Sequence, residues 1–417
     1  MFLEKPDPTE KRIRSRRNRW TVPPIPVGSA VNLEGVEVLD ELPSALGLEL
    51  FLRLRVVVFW ITAPEPVRGK LFARNKREIP ATDEIPARID TPLNVLRALV
   101  SRPSSASAEA VGSACASVSA WAYDAGYIDT AISFAHVTAR VLPDNPEAAF
   151  AVGRATRDAG RYPHSDAWFH RALGLARRAR NAEMKARVYI GWGVLDELRG
   201  DPAAAKRKFQ KALTTATEVP LPSIAAHAHQ FLIPLTSATF EETFGHAVAA
   251  ARLYTDDDPD LPRLASDTGA LFSEHGYFGL ALLLYEAALP KFSRAPDLLA
   301  CYANVGRAAA ALGQKRRFSE AWTEVERLSR GPLAQYHADS LLELATGAVT
   351  LRYWKPAAKM VGEARSVAER LGSAPALDRI RRLLEAIDER TGGDVSRDPE
   401  PRLEEFAFRL RDRLSSD

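Results

Sequence analysis

The chain has 417 residues, 46% hydrophobic and 26% charged, with a formal net charge of +3, a profile that fits a soluble globular protein and excludes collagen, bulk disorder and a small disulfide scaffold. Two cysteines, Cys115 and Cys301, cannot build a disulfide framework, and no CxxC or Cys/His cluster suggests zinc, so a reducing cytoplasm is the expected compartment. Alanine occurs 7 times in residues 1–100 and 59 times in residues 101–390, so the chain falls into two compositional parts.

Residues 1–28 form a basic arm, expected to be disordered. The first twenty hold seven basic side chains against three acidic ones, and the rest of the chain is nearly balanced. The run Lys11, Arg12, Arg14, Arg16, Arg17 and Arg19 before Trp20 is a pattern compatible with phosphate contact, although no nucleic-acid module accompanies it. The start lacks the apolar core of a secretory signal.

Residues 29–104 read as an N-terminal extension with a hydrophobic helix that packs on the first repeat. VNLEGVEVL suggests a short extended piece. Leu46 to Ile61 is apolar but short, and it carries Glu49, Arg53 and Arg55, so it does not read as a membrane span. Its Leu50/Leu52/Leu54 alternation allows a strand, but the length of the run favours a helix capped by Asp40 with Pro43 in its first turn. Asp90-Thr91-Pro92 marks a helix start for Leu93–Val100.

From residue 105 to 390 a segment recurs, aligned on Gly126, Gly160, Gly200, Gly276 and Gly313 at intervals of 34, 40, 76 and 37 residues. The 76-residue interval holds a degenerate copy with Phe240 and Ala247, and a seventh copy carries Arg352 in place of the glycine, giving about seven in all. Each copy reads as an apolar helix ending at a left-handed glycine, followed by a second amphipathic helix. Small residues (Gly153, Gly193, Gly269 and Gly306 on the first helix, Ala205 and Ala281 on the second) mark the close approach, and Phe169, Phe209 and Tyr285 fill the space against the next unit. Pro234 should kink or shorten its helix, Ser165 replaces an alanine, and the sixth copy reads as having about three extra residues between Gly313 and Ala321.

On these residues the chain resembles the tetratricopeptide repeat family, whose helix–turn–helix unit carries small residues and aromatics at such spacings. The resemblance implies an all-α solenoid, with positions two, five, nine and twelve of each first helix facing a concave groove. These are Glu147, Phe150, Arg154 and Arg157 in the second copy, Arg187, Ile190, Val194 and Glu197 in the third, and Arg307 at position nine of the sixth. Phe150, Arg154, Arg157, Arg187, Ile190 and Arg307 are the candidate peptide-binding residues. Residues 374–389 place Leu377, Ile380, Leu384 and Ile387 on one stripe, as a capping helix needs. Residues 391–417 read as a flexible linker and an amphipathic helix, Leu403 to Leu414.

No phosphate-loop, dinucleotide, nucleophile-elbow or HExxH motif occurs, so no catalytic residue, metal or cofactor is expected. His227 and His229, two apart on a helix, are poor co-ligands. Asp256-Asp257-Asp258 with Asp260 lacks EF-hand spacing and reads as a solvated turn between repeats. The expected function is a non-enzymatic scaffold that binds a protein or peptide segment in the groove; a regulatory nucleic-acid role through the basic arm is the alternative.

Overall fold

The structure is a computed structural model that describes residues 22–26, 35–74, 85–235, 239–329 and 337–415. Among the described residues the regular structure is helical throughout, twenty α-helices with two short 3-10 turns. The arm residues Lys11, Arg12, Arg14, Arg16, Arg17 and Arg19 lie outside the described residues.

Four helices form the extension: α1 (Val36–Glu41), α2 (Ser44–Thr62), α3 (Arg68–Arg74) and α4 (Ala87–Ser101). The apolar run is a helix, as its length suggested. Its start differs, because residues 36–41 close a separate helix that contains Asp40 and Pro43 directly precedes Ser44. VEVL is likewise helical, not extended. α4 begins at Ala87, so Pro92 sits inside it, not at its start.

Leu46, Leu50, Leu54, Val57 and Trp60 of α2 pack against Ile89, Leu93, Leu96 and Leu99 of α4 and onward into the first repeat, making one continuous core. Two polar anchors fix this unit. The Glu41 carboxylate accepts hydrogen bonds from the backbone N–H groups of Asp129 and Thr130, at 3.1 and 2.7 Å, at the start of a repeat helix whose dipole favours an anion there. Buried Glu49 pairs with Arg53 at 3.0 Å and Arg97 at 2.8 Å, which compensates a carboxylate that would be costly in isolation.

Seven helical hairpins make up the array: α5/α6 (Ala108–Ala125, Ile128–Val141), α7/α8 (Pro146–Asp158, Tyr162–Arg178), α9/α10 (Ala182–Leu198, Pro202–Glu218), α11/α12 (Pro222–Gln230, Phe240–Leu253), α13/α14 (Leu261–Glu274, Phe278–Ala288), α15/α16 (Ala295–Ala311, Lys315–Leu328) and α17/α18 (His337–Thr350, Trp354–Leu371). Ser107, Asn145, Asn181, Asp201 and Thr239 cap helices by accepting from a backbone N–H three residues on. The five aligned glycines turn with φ between +71° and +87°, and Arg352 takes the same left-handed conformation at +61°.

Where the two helices of a hairpin meet, glycine faces an aromatic ring. A Cβ at Gly153 would lie 2.8 Å from Phe169, one at Gly193 2.4 Å from Phe209 and one at Gly269 2.7 Å from Tyr285. Phe169 also reaches forward to Gly191 of the next hairpin, so each ring serves its own unit as well as its neighbour. Two of the three expected departures concern the lengths of elements. α11 ends at Gln230, four residues before Pro234, and is thereby shortened. The sixth hairpin holds no insertion, since α16 starts two residues after Gly313, just as α8 starts two after Gly160 and α14 two after Gly276. Phe318 instead occupies the place of the small residue, and Leu344 of α17 covers Gly306, whose Cβ would meet it at 2.5 Å.

The array ends with α19 (Ala374–Glu389) and α20 (Pro401–Ser415). α20 folds back with Leu403, Ala407, Leu410 and Leu414 buried in the core around α13 and α14. At the other end, Val22 and Ile25 pack against the second and third hairpins, and Arg171 donates to the Pro23 carbonyl, so the last part of the segment read as an arm is docked.

Candidate binding groove

The solenoid coils tightly enough that its first hairpin meets its sixth. Asp124 at the end of α5 lies 3.9 Å from Arg294, which precedes α15, and the Arg294 guanidinium also stands 5.5 Å from the Tyr123 ring centre. A cavity of about 790 Å³ lies on the inner side of this turn.

One wall comes from the first helices of hairpins two and three. Asn145 and Pro146 start α7, which then carries Phe150, Arg154 and Arg157 along a stripe at spacings of four and three. Asn181 starts α9, which presents Arg187 and Ile190. Phe150, Arg154, Arg187 and Ile190 all line the cavity. The Arg187 guanidinium lies over the Phe150 ring at 5.6 Å, and that of Arg154 over Tyr123 at 3.9 Å. The Nε of Arg154 is buried with no hydrogen-bond partner among the described residues.

Neither of the other two candidates lines this cavity, although Arg157 shares a smaller recess with Phe150, Arg154 and Ile190. Arg157 is buried, with Nε 2.6 Å from Asp158 and Nη1 3.4 Å from the Gly191 carbonyl, and it lines a smaller recess of about 180 Å³ beside the main cavity. Arg307 on α15 is engaged bidentately by Asp394 at 2.8 and 3.0 Å and by Glu343 at 3.0 Å.

The rest of the lining mixes charges: Arg263, Lys291, Arg294 and Arg413 stand among the carboxylates, and Arg413 already pairs with Asp256. Asp256, Asp257, Asp258 and Asp260, read from sequence as a solvated turn, line the same cavity from the loop between α12 and α13. Burial pushes the Asp260 carboxyl up, but His227, 2.7 Å away, and Arg263 outweigh it and hold it below its ordinary value. Arg263 and Arg294 also flank Asp297, at 3.0 and 3.6 Å. The place of this loop was hidden in the sequence because it lines one cavity with residues about a hundred positions away.

Further along, Glu197 of α9 stands within electrostatic range of both Asp267 of α13 and Asp339 of α17. Burial and the neighbouring carboxylates push Glu197 up to about 7, and burial pushes Asp267 up to about 6 despite the Gln230 amide. Glu343 goes the other way, since Arg379 and Arg307 overcome its burial and hold it at about 2.

His227 and His229 part company as expected of that spacing: one pairs with Asp260, the other with His246 at 2.9 Å. No group of three or more His, Cys, Asp or Glu among the described residues could hold a metal ion, and no helix among them is long and apolar enough to cross a membrane. Burial pushes the thiols of Cys115 and Cys301 up to about 12, which leaves both protonated and unreactive as nucleophiles.

No protein-family model and no curated protein matches the chain. Solved structures do. A Rap protein complexed with competence and sporulation factor superposes with a TM-score of 0.53 at 11% identity, covering 81% of this chain and 99% of that one. The Rap conjugation gene regulator of plasmid pLS20, in complex with the Phr* peptide, gives 0.49 at 14% identity over 88% and 99%. The Cut9–Hcn1 hetero-tetramer of the APC/C gives 0.45 at 16% identity over 71% of this chain and 52% of that one, so the chain spans about half of it. At 11% identity the likeness to the Rap protein shows the fold alone, an all-α helical repeat, which with the repeat pattern is of the tetratricopeptide type.

Proposed function

On this tetratricopeptide-type fold, we propose that the chain is a non-enzymatic interaction scaffold whose cavity along hairpins two to five takes an extended peptide or protein segment of mixed charge. The observation that carries the reading is that one cavity is lined by Arg154 and Arg187 with Phe150 and also by Asp257 and Asp258. Arg154 has a buried donor with no protein acceptor among the described residues, and a carboxylate from a ligand supplies what it lacks. A cationic side chain on the same ligand complements Asp257 and Asp258, since Arg413 already holds Asp256 and His227 holds Asp260. Phe150 and Ile190 offer the apolar contact that gives such a segment affinity. The Rap protein of similar fold was solved with a bound factor, but the reading stands on this chain's own groove.

Selecting displayed peptides on the purified chain, then on Arg154→Glu with Arg187→Glu, tests it. Enriched peptides should pair an acidic with a basic residue and lose at least tenfold in affinity on the double variant, while the helical circular dichroism persists. Equal binding by the variant overturns the groove assignment. Arg157→Glu is not used, because it would leave Asp158 buried beside a second carboxylate.

A further inference from the structure

Residues 391–400 carry no regular structure, yet they are laid across the array. The carboxylate of Asp394 takes Arg307 bidentately at 2.8 and 3.0 Å, and its backbone N–H donates to Thr350 Oγ1 at 3.0 Å. Three residues on, the N–H of Arg397 donates to the Gly276 carbonyl at 2.8 Å. The strap therefore passes the C-terminal ends of α17, α15 and α13 in turn. It also fits them closely: Gly393, at φ +127°, approaches the Thr350 backbone so nearly that a Cβ there would lie 3.3 Å from its Cα.

Its grip is narrow. From 391 to 400 only Asp394 and Pro399 are half-buried, and Val395 is 76% exposed. The flanks are secured independently, by Ala376 and Ile380 of α19 and by the four buried residues of α20. The segment is thus tethered at both ends and held in the middle by one carboxylate and a few backbone bonds.

We propose that the inner edge of hairpins five to seven is a second binding track, for an extended acidic segment of a partner protein, and that residues 391–400 occupy it as an internal stand-in. Asp394 plays the part of the partner's carboxylate at Arg307, while Thr350 and the Gly276 carbonyl read backbone and impose no side-chain identity. Tethering gives the strap an effective concentration of about millimolar, so a free segment must displace it. This track lies apart from the Phe150 groove and does not depend on what that groove binds.

The test uses full-length chain and a ¹⁵N-labelled decapeptide of residues 391–400. In Asp394→Ala, hydrogen exchange at the Arg397 amide should quicken at least tenfold. The decapeptide should bind Asp394→Ala at least tenfold more tightly than the unaltered chain, and the same peptide carrying Asp394→Asn should not bind. Unchanged exchange would show that Asp394 is not the latch, and a released strap without decapeptide binding would show that the edge is not a track; either overturns the proposal.

Discussion

Gly193 illustrates how one residue type carries the architecture. A Cβ there would lie 2.4 Å from Cε1 of Phe209, which is fully buried and has nowhere to go. Alanine is the better helix former by about 1 kcal/mol, yet overpacking in a closed core costs about 1–3 kcal/mol, so packing wins. Gly193→Ala should lower the thermal midpoint, and adding Phe209→Leu should recover part of the loss; a midpoint unchanged or raised by Gly193→Ala would contradict the packing account. Such positions were legible in the sequence because close approach demands small residues at fixed spacing. Arg352 was legible for the same reason, since the turn conformation is required whatever residue supplies it. Phe318 was not: a large residue at a small position reads as a shift in register, and only the structure shows Leu344 covering Gly306 instead.

At the scale of elements, the first helices of the hairpins carry ionisable groups whose titration burial shifts. Glu197 on α9 is raised to about 7 and Asp267 on α13 to about 6, so the folded chain favours their protonated forms. The stability this contributes is present below the ordinary carboxylate range and is lost as pH rises through 6 and 7. Glu343 on α17 has the opposite sign, but its contribution is lost only as pH falls toward 2 and is constant through neutral pH. The urea midpoint of the unaltered chain should therefore fall relative to that of Glu197→Gln as pH rises from about 5 to about 7. Equal slopes for the two proteins would remove Glu197 from this account. The individual helices were readable from periodicity and caps, but their electrostatics were not, because Glu197 comes within range of Asp267 and Asp339 only after the solenoid has coiled.

The whole molecule is a coil of seven hairpins closed on itself, where Tyr123 and Asp124 of the first hairpin reach Arg294 of the sixth. Closure creates the cavity by bringing the Phe150, Arg154 and Arg187 wall and the aspartate loop into one lining. The sequence supplied the wall through repeat positions. It could not supply the place of the loop, nor the strap over Arg307, since both depend on contacts between residues 87 to about 100 positions apart. The most direct measurement of the central claim is photo-cross-linking in the native host with benzoylphenylalanine at Arg187, which faces the cavity, and at Thr214, exposed on α10, as control. The account predicts a discrete adduct at position 187, absent at 214, whose peptide maps to one segment of a partner carrying both acidic and basic residues. No adduct at 187, or the same adducts at both positions, would contradict it.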